Sequence, residues 1–153
     1  MKHKRIWRLR IDVEGVGTIE FAFATSLLCT LVLGTLDFGL GLFYQMQVND
    51  AARAGAAYAL INGWNQTAIQ TAVTSATGLA SITASPVPTK TCGCPNVSSG
   101  ITAATCGSTC TSGNAAGTYV TVHAQASYSL IVPWPGISSP MTLAAATTVK
   151  ISN

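Results

Sequence analysis

The sequence predicts an α+β chain in which a long N-terminal helix crosses a membrane in its first half and continues outward, followed by a short second helix and a small antiparallel β-sheet domain. Three observations lead there. Five of the 8 basic residues, Lys2, Lys4, Arg5, Arg8 and Arg10, fall within the first ten positions. An almost wholly apolar run over 16–44 follows, broken by Glu20 and Asp37. Beyond Leu79 the composition turns to Ser, Thr, Ala and Gly, with 28 Ser/Thr among the 90 residues of 64–153, a mixture that suits strands and loops.

The leader 1–15 carries Asp12 and Glu14 as well, so its local charge is +3 and the remainder of the chain is formally neutral. From Phe21 to Leu36 there are 16 residues without a charge, and with their small flanking residues they reach the ~20 needed for a transmembrane helix. The expected span ends at about Tyr44. A basic cluster on its N-terminal side places the leader in the cytoplasm and the domain beyond the membrane. Residues 45–60 are Ala-rich and free of Pro, so the helix continues to the Asn62-Gly63 stop; at ~1.5 Å per residue a helix over 16–62 measures roughly 70 Å, more than twice the hydrocarbon core.

Asn65 can cap a second helix whose Ala68, Ile69, Ala72, Val73 and Ala76 share a face, ending at Gly78. That face needs a partner, and the first helix is the nearest. The extracytoplasmic α+β domain is expected over 63–153, with a cysteine-bearing loop at 90–117. After it Val120, Val122, Ala124, Ala126, Tyr128 and Leu130 alternate with polar neighbours, and so do Leu143, Ala145, Thr147, Val149 and Ile151; a turn through Pro133-Trp134-Pro135-Gly136 joins these two strands.

Composition removes several functions. Charged residues make up 8% of the chain against the ~25% usual for a soluble domain. Beyond Arg53 there remain Lys90 and Lys150 and no acidic side chain, which excludes paired-carboxylate catalysis, carboxylate metal sites and a Ser-His-Asp arrangement there. No nucleic-acid surface can be assembled from so few cations. The chain is not expected to be an enzyme or to hold a cofactor or metal.

The most informative stretch is Gly15-Val16-Gly17-Thr18-Ile19-Glu20-Phe21. It resembles a class III signal, which a prepilin peptidase would cut after Gly15, leaving Val16 as the new N-terminus and Glu20 as the fifth mature residue. A carboxylate in a bilayer costs ~2.5–3.5 kcal/mol at mid-helix and less near the interface, so it is retained for a partner. The new amine at Val16, one turn away on the same or a neighbouring subunit, would supply one. Together with Leu36-Asp37-Phe38-Gly39 and Asn49-Asp50-Ala51-Ala52-Arg53-Ala54-Gly55-Ala56, this motif makes the region 12–60 resemble the TadE-like family of Tad (tight adherence) pilus proteins. Val16 departs from the wider type IV pilin pattern, where a methylated Phe is usual.

The resemblance implies a pilin-like fold and a minor pilin or pseudopilin used in building a Flp-type pilus. It implies a single-pass inner-membrane protein with a periplasmic domain, able to enter an extracellular pilus and acting as a hetero-oligomer. Its partners would be the peptidase, other pilin-type subunits, Tad inner-membrane assembly components and membrane lipid. Glu20, Phe21 and Asp37 are the candidates for subunit pairing; Asp37 could instead bond to helix donors or lie exposed at the interface. An uncleaved membrane-anchored periplasmic scaffold or binding protein and a secreted adhesin are the alternatives.

Cys92, Cys94, Cys106 and Cys110 lie in the exported region and imply two disulfides. A Cys92–Cys94 ring would be strained, which leaves crossed or nested bridges. A hairpin-like loop favours the nested pair, Cys92–Cys110 with Cys94–Cys106; a zinc site using these thiols and His123 is the sharper alternative. Cys29 reads as a buried, reduced thiol behaving as a small apolar residue.

Overall fold

A computed structural model describes residues 14–96 and 100–151, with side chains described from Gly17 onward. Most of the expected leader, 1–15, lies outside the described residues. The elements run α1 (Glu14–Asn62), α2 (Gln66–Ser75), β1 (Thr89–Asn96), β2 (Gly100–Ala103), β3 (Gly117–Tyr128) and β4 (Met141–Ile151). The chain divides into two units, 1–36 and 37–153.

In the first unit, α1 is apolar and exposed on every side: Ile19, Phe21, Phe23, Leu27, Leu28, Leu31 and Val32 all face outward. Three of its hydroxyls are turned onto its own backbone, Ser26 donating to the Phe23 carbonyl at 2.9 Å, Thr30 to the Ser26 carbonyl at 2.9 Å and Thr35 to the Val32 carbonyl at 2.8 Å. Such internal bonds hide polar groups from an apolar medium. Cys29 is free but exposed, so the expectation of a buried thiol is corrected: this stretch of α1 has no protein packed around it within the unit.

The second unit begins at Asp37, earlier than the end of the span expected near Tyr44. Here α1 buries Val48, Ala51, Ala52, Gly55, Ala56 and Ala59, a 3–4 spacing that defines one face. That face meets Ile69 and Val73 of α2, Ile82, and the inward residues Val120, Val122, Ala124 and Ala126 of β3. Asn65 caps α2 by accepting from the Ala68 amide at 3.1 Å. On α2 the expected apolar face is narrower than its five residues: Ile69 and Val73 are buried, Ala68 and Ala72 half-buried, and Ala76, at the C-cap, is exposed.

The small residues of the 51–56 block are explained by this packing. A Cβ on Gly55 would lie 2.5 Å from Val73 Cγ2 and 2.8 Å from Val122 Cγ1, so the helix can touch both α2 and the sheet because no side chain intervenes. Asp50 and Arg53, on the opposite side, form an exposed i, i+3 pair at 3.9 Å. Trp64 packs partly against the core, with Lys90 Nζ 6.0 Å above its ring.

The sheet is fully antiparallel in the order β2-β1-β3-β4. β3 and β4 pair from Thr118↔Ile151 to Tyr128↔Met141. Their alternation matches the sequence pattern, with the odd-numbered residues of β4 turned toward the core. The expected cysteine loop at 90–117 is corrected: its first part forms β1 and β2, where Lys90, Cys92 and Cys94 alternate with Thr91 and Gly93 as strand residues do.

The bridges are Cys92–Cys106 and Cys94–Cys110, the crossed set, with Cα separations of 5.1 and 5.6 Å. The nested expectation fails because the β1–β2 hairpin pairs Asn96 with Gly100 and Gly93 with Ala103. Thr102 therefore stands opposite Cys94, and the chain leaving β2 passes Cys92, where the Ala104 amide donates to the Cys92 carbonyl at 3.0 Å. Cys106 comes to Cys92 first; a tight turn, with the Cys110 amide bonded to the Asn114 carbonyl at 2.7 Å, then holds Cys110 at Cys94. With all four thiols in disulfides, none is left as a thiolate for zinc.

Two outcomes follow. Gly55→Ala gains helix propensity of roughly 0.5–1 kcal/mol but overpacks against two branched side chains for about 1–3 kcal/mol. Thermal melting in detergent should show a net loss of about 1–2 kcal/mol, whereas an unchanged or raised midpoint would contradict the close approach. For the bridges, oxidised Cys92→Ser/Cys106→Ser protein should titrate a single thiol, Cys29, when denatured. Cys92→Ser/Cys110→Ser should titrate Cys94 and Cys106 as well, and the reverse result would restore the nested pairing.

Candidate functional site

Two parts of α1 carry the candidate residues, and each is described in its own unit. In the first, Gly15 and Val16 belong to the first turn of the helix. Glu20 follows with an exposed side chain, and Phe21 is 72% exposed. Within the unit a carboxylate and an aromatic ring thus stand open on an apolar helix, available to another molecule.

Asp37 is different. It is 3% exposed, closed off from water by the β3–β4 loop rather than sunk in a deep core. Oδ1 accepts from the Ile131 amide at 2.8 Å and from the Tyr128 hydroxyl at 3.3 Å. Oδ2 accepts from the Val132 amide at 3.1 Å and from the Trp134 indole Nε1 at 2.9 Å. The Tyr128 proton is shared with the Asp37 main-chain carbonyl, 3.1 Å away. Two oxygens with two donors each use the full acceptor capacity of a carboxylate.

Asp37 is therefore engaged within its own chain, which corrects its assignment to subunit pairing and the reading of interfacial exposure. The physical reason is supply: four neutral donors converge on it from the end of β3 and the loop that follows, which the fold lays against this turn of α1. Charge-assisted bonds to neutral donors stabilise a buried anion without a cation. Burial, with the neighbouring carboxylate adding to it, pushes the Tyr128 phenol above its usual range and keeps it a donor. Its ring lies 5.2 Å from that of Tyr44, centroid to centroid, which continues the packing onto the helix about two turns outward.

Tyr128, Ile131, Val132 and Trp134 are the members of this cluster that sequence reasoning did not join to Asp37. Two of them act through main-chain amides, which no side-chain pattern can reveal. A signal did exist in Trp134, fixed between Pro133 and Pro135 and possessing an indole donor that needs an acceptor when buried.

The helix that carries Glu20, Phe21 and Asp37 is also where a family model matches the chain. Residues 15–57 match the family model of TadE-like protein. That TadE-like segment takes in Gly15, Val16, Glu20, Phe21, Asp37 and the small-residue block that packs on the sheet; it ends within α1 and includes neither α2 nor the strands. The TadE-like family is one of pilus-associated proteins. No curated protein and no solved structure gives a significant match. Among the described residues, α1 is the helix long and apolar enough to cross a membrane.

Replacing Asp37 tests the cluster. Asp37→Asn turns one acceptor into a donor that faces Val132 or Trp134, so in detergent the melting midpoint should fall by about 5–10 °C. Trp134→Phe removes one donor and should cost clearly less. Equal midpoints for wild type and Asp37→Asn would show that the four bonds do not hold the loop.

Proposed function

We propose that this chain is a minor pilin or pseudopilin of a Tad (Flp-type) pilus machine. In this reading a prepilin peptidase cuts after Gly15, and the apolar start of α1 holds the mature protein in the inner membrane with the disulfide-tied domain in the periplasm. The observation that carries it is the TadE-like match over a helix whose apolar surface is exposed on all sides through its first unit, with a carboxylate at Glu20. Residues 17–36 number 20 and would be about 30 Å long, the thickness of a hydrocarbon core, so the span ends where the folded unit starts.

The chain works by contact rather than chemistry. Gly15 and Val16 are substrate positions for the peptidase. Glu20 is the group left to pair in the membrane, since Asp37 is satisfied at home. Cleavage would create a Val16 amine one turn from Glu20, and a salt link between such groups on the same or neighbouring subunits would set the register of helices in an assembly. Tad assembly components and other pilin-type subunits are the partners, joined through α1.

The reading is tested by N-terminal sequencing of the membrane-fraction protein, which should begin at Val16. Gly15→Leu should abolish processing, and a processed end elsewhere, or normal cutting of the Leu variant, would overturn the assignment. Glu20→Ala should insert and be cut but assemble poorly, leaving an unpaired ammonium in an apolar setting. Glu20→Asp should be intermediate. Pilus production and crosslinking to pilin-type subunits at equal expression provide the readout; full assembly by cleaved Glu20→Ala would remove the role given to this carboxylate.

A further inference from the structure

The loop that closes over Asp37 has an outer side as well. Its inward groups are two amides and the Trp134 indole N–H; outward it shows Ile131, 57% exposed, and Ile137, 49% exposed, with Pro133 and Pro135 also exposed and the Trp134 ring half-exposed. Apolar side chains of this size on a tight loop would be a poor choice for a surface facing water. We propose that residues 129–140 form a second membrane contact, resting in the headgroup region of the outer face of the bilayer that α1 crosses. This rests on the membrane-spanning reading above.

Three observations favour lipid as the occupant. The first is place: the loop is bonded to Asp37, and the preceding residue, Leu36, ends the uncharged apolar run. The second is the treatment of main-chain donors. Ile131 and Val132 amides go to Asp37, the Leu130 amide to Ser139 Oγ at 3.1 Å and the Ile137 amide to the Trp134 carbonyl at 3.2 Å. Pro133, Pro135 and Pro140 have no amide proton to satisfy. The amides of Trp134, Gly136, Ser138 and Ser139 find no acceptor among the described residues, so the loop suits the hydrated headgroup level rather than the hydrocarbon below it. The third is chemistry: no charged side chain occurs between Lys90 and Lys150, and a Trp beside branched aliphatic residues is a side-chain set that favours the interface.

Asp37 then has a purpose that its burial does not explain by itself. It holds a proline-rich loop in place as an apolar foot where the chain leaves the bilayer, so the domain meets the membrane at the helix and at the loop.

The test uses full-length protein in phosphatidylcholine vesicles with and without brominated phosphatidylcholine. In Trp7→Phe/Trp64→Phe protein, which reports Trp134, bromine should lower emission by about twofold or more. Trp7→Phe/Trp134→Phe protein, which reports Trp64, should change little. Adding Ile131→Ser and Ile137→Ser to the first protein should remove most of the quenching while it stays in the vesicles. Protein that floats with vesicles and resists carbonate washing, yet shows Trp134 quenched no more than Trp64, overturns the loop contact and leaves the span intact. Failure to float overturns the span and this proposal with it. Trp134 insensitive to bromine but shielded from iodide as protein per vesicle rises would put a second copy on the loop and also overturn the proposal.

Discussion

The folded unit depends on how one carboxylate is satisfied. Asp37 occurs on a helix that is apolar on both sides of it, where a bare charge would be costly in lipid and in a protein core alike. Four donors from the β3–β4 region remove that cost, and in doing so they dock the far end of the sheet onto α1. The other end of the interface needs no polar fastening: there Gly55 and the alanines around it let α1 meet the sheet and α2 by shape. A polar clamp at one end and close packing at the other hold the helix in one register on the sheet.

Small residues make that core thin. Several of the side chains α1 buries are alanines, each contributing little apolar area, and the largest fully buried side chains are Ile69, Val48, Val73, Val120 and Val122. The crossed disulfides supply what such a core lacks. Both start from β1 and close separations of 14 and 16 residues, for which the chain-entropy account gives about 3 kcal/mol each. They also fix the irregular segment after β2 without requiring it to bury side chains.

Much of this architecture could be read from local pattern. The long helix, the Asn65 cap and the alternation along β3 and β4 depend on residues near one another in sequence, and each occurs where the periodicity put it. What local pattern could not supply was pairing across distance. The donors to Asp37 lie more than 90 positions away, two of them amides, so an acidic residue in an apolar run looked available to a partner. The disulfides failed for a related reason: four cysteines show the likelihood of two bridges, but the pairing depends on where the β1–β2 hairpin turns, and Thr-rich residues around 90–103 looked like loop. Among the described residues nothing covers Glu20 or Phe21, which both stay exposed.

The distance between Asp37 and its donors also has a temporal side. Trp134 follows Asp37 by 97 positions, and bacterial or other ribosomes add about 5–20 residues per second. Asp37 is thus made about 5–20 s before its last donor exists. During that interval the helix must be handled with an uncompensated acid at the edge of its apolar run, and the acid becomes neutral to its surroundings when the final hairpin arrives. Completion of the last strand pair is in this sense the event that settles where the exposed part of α1 ends and the folded unit begins.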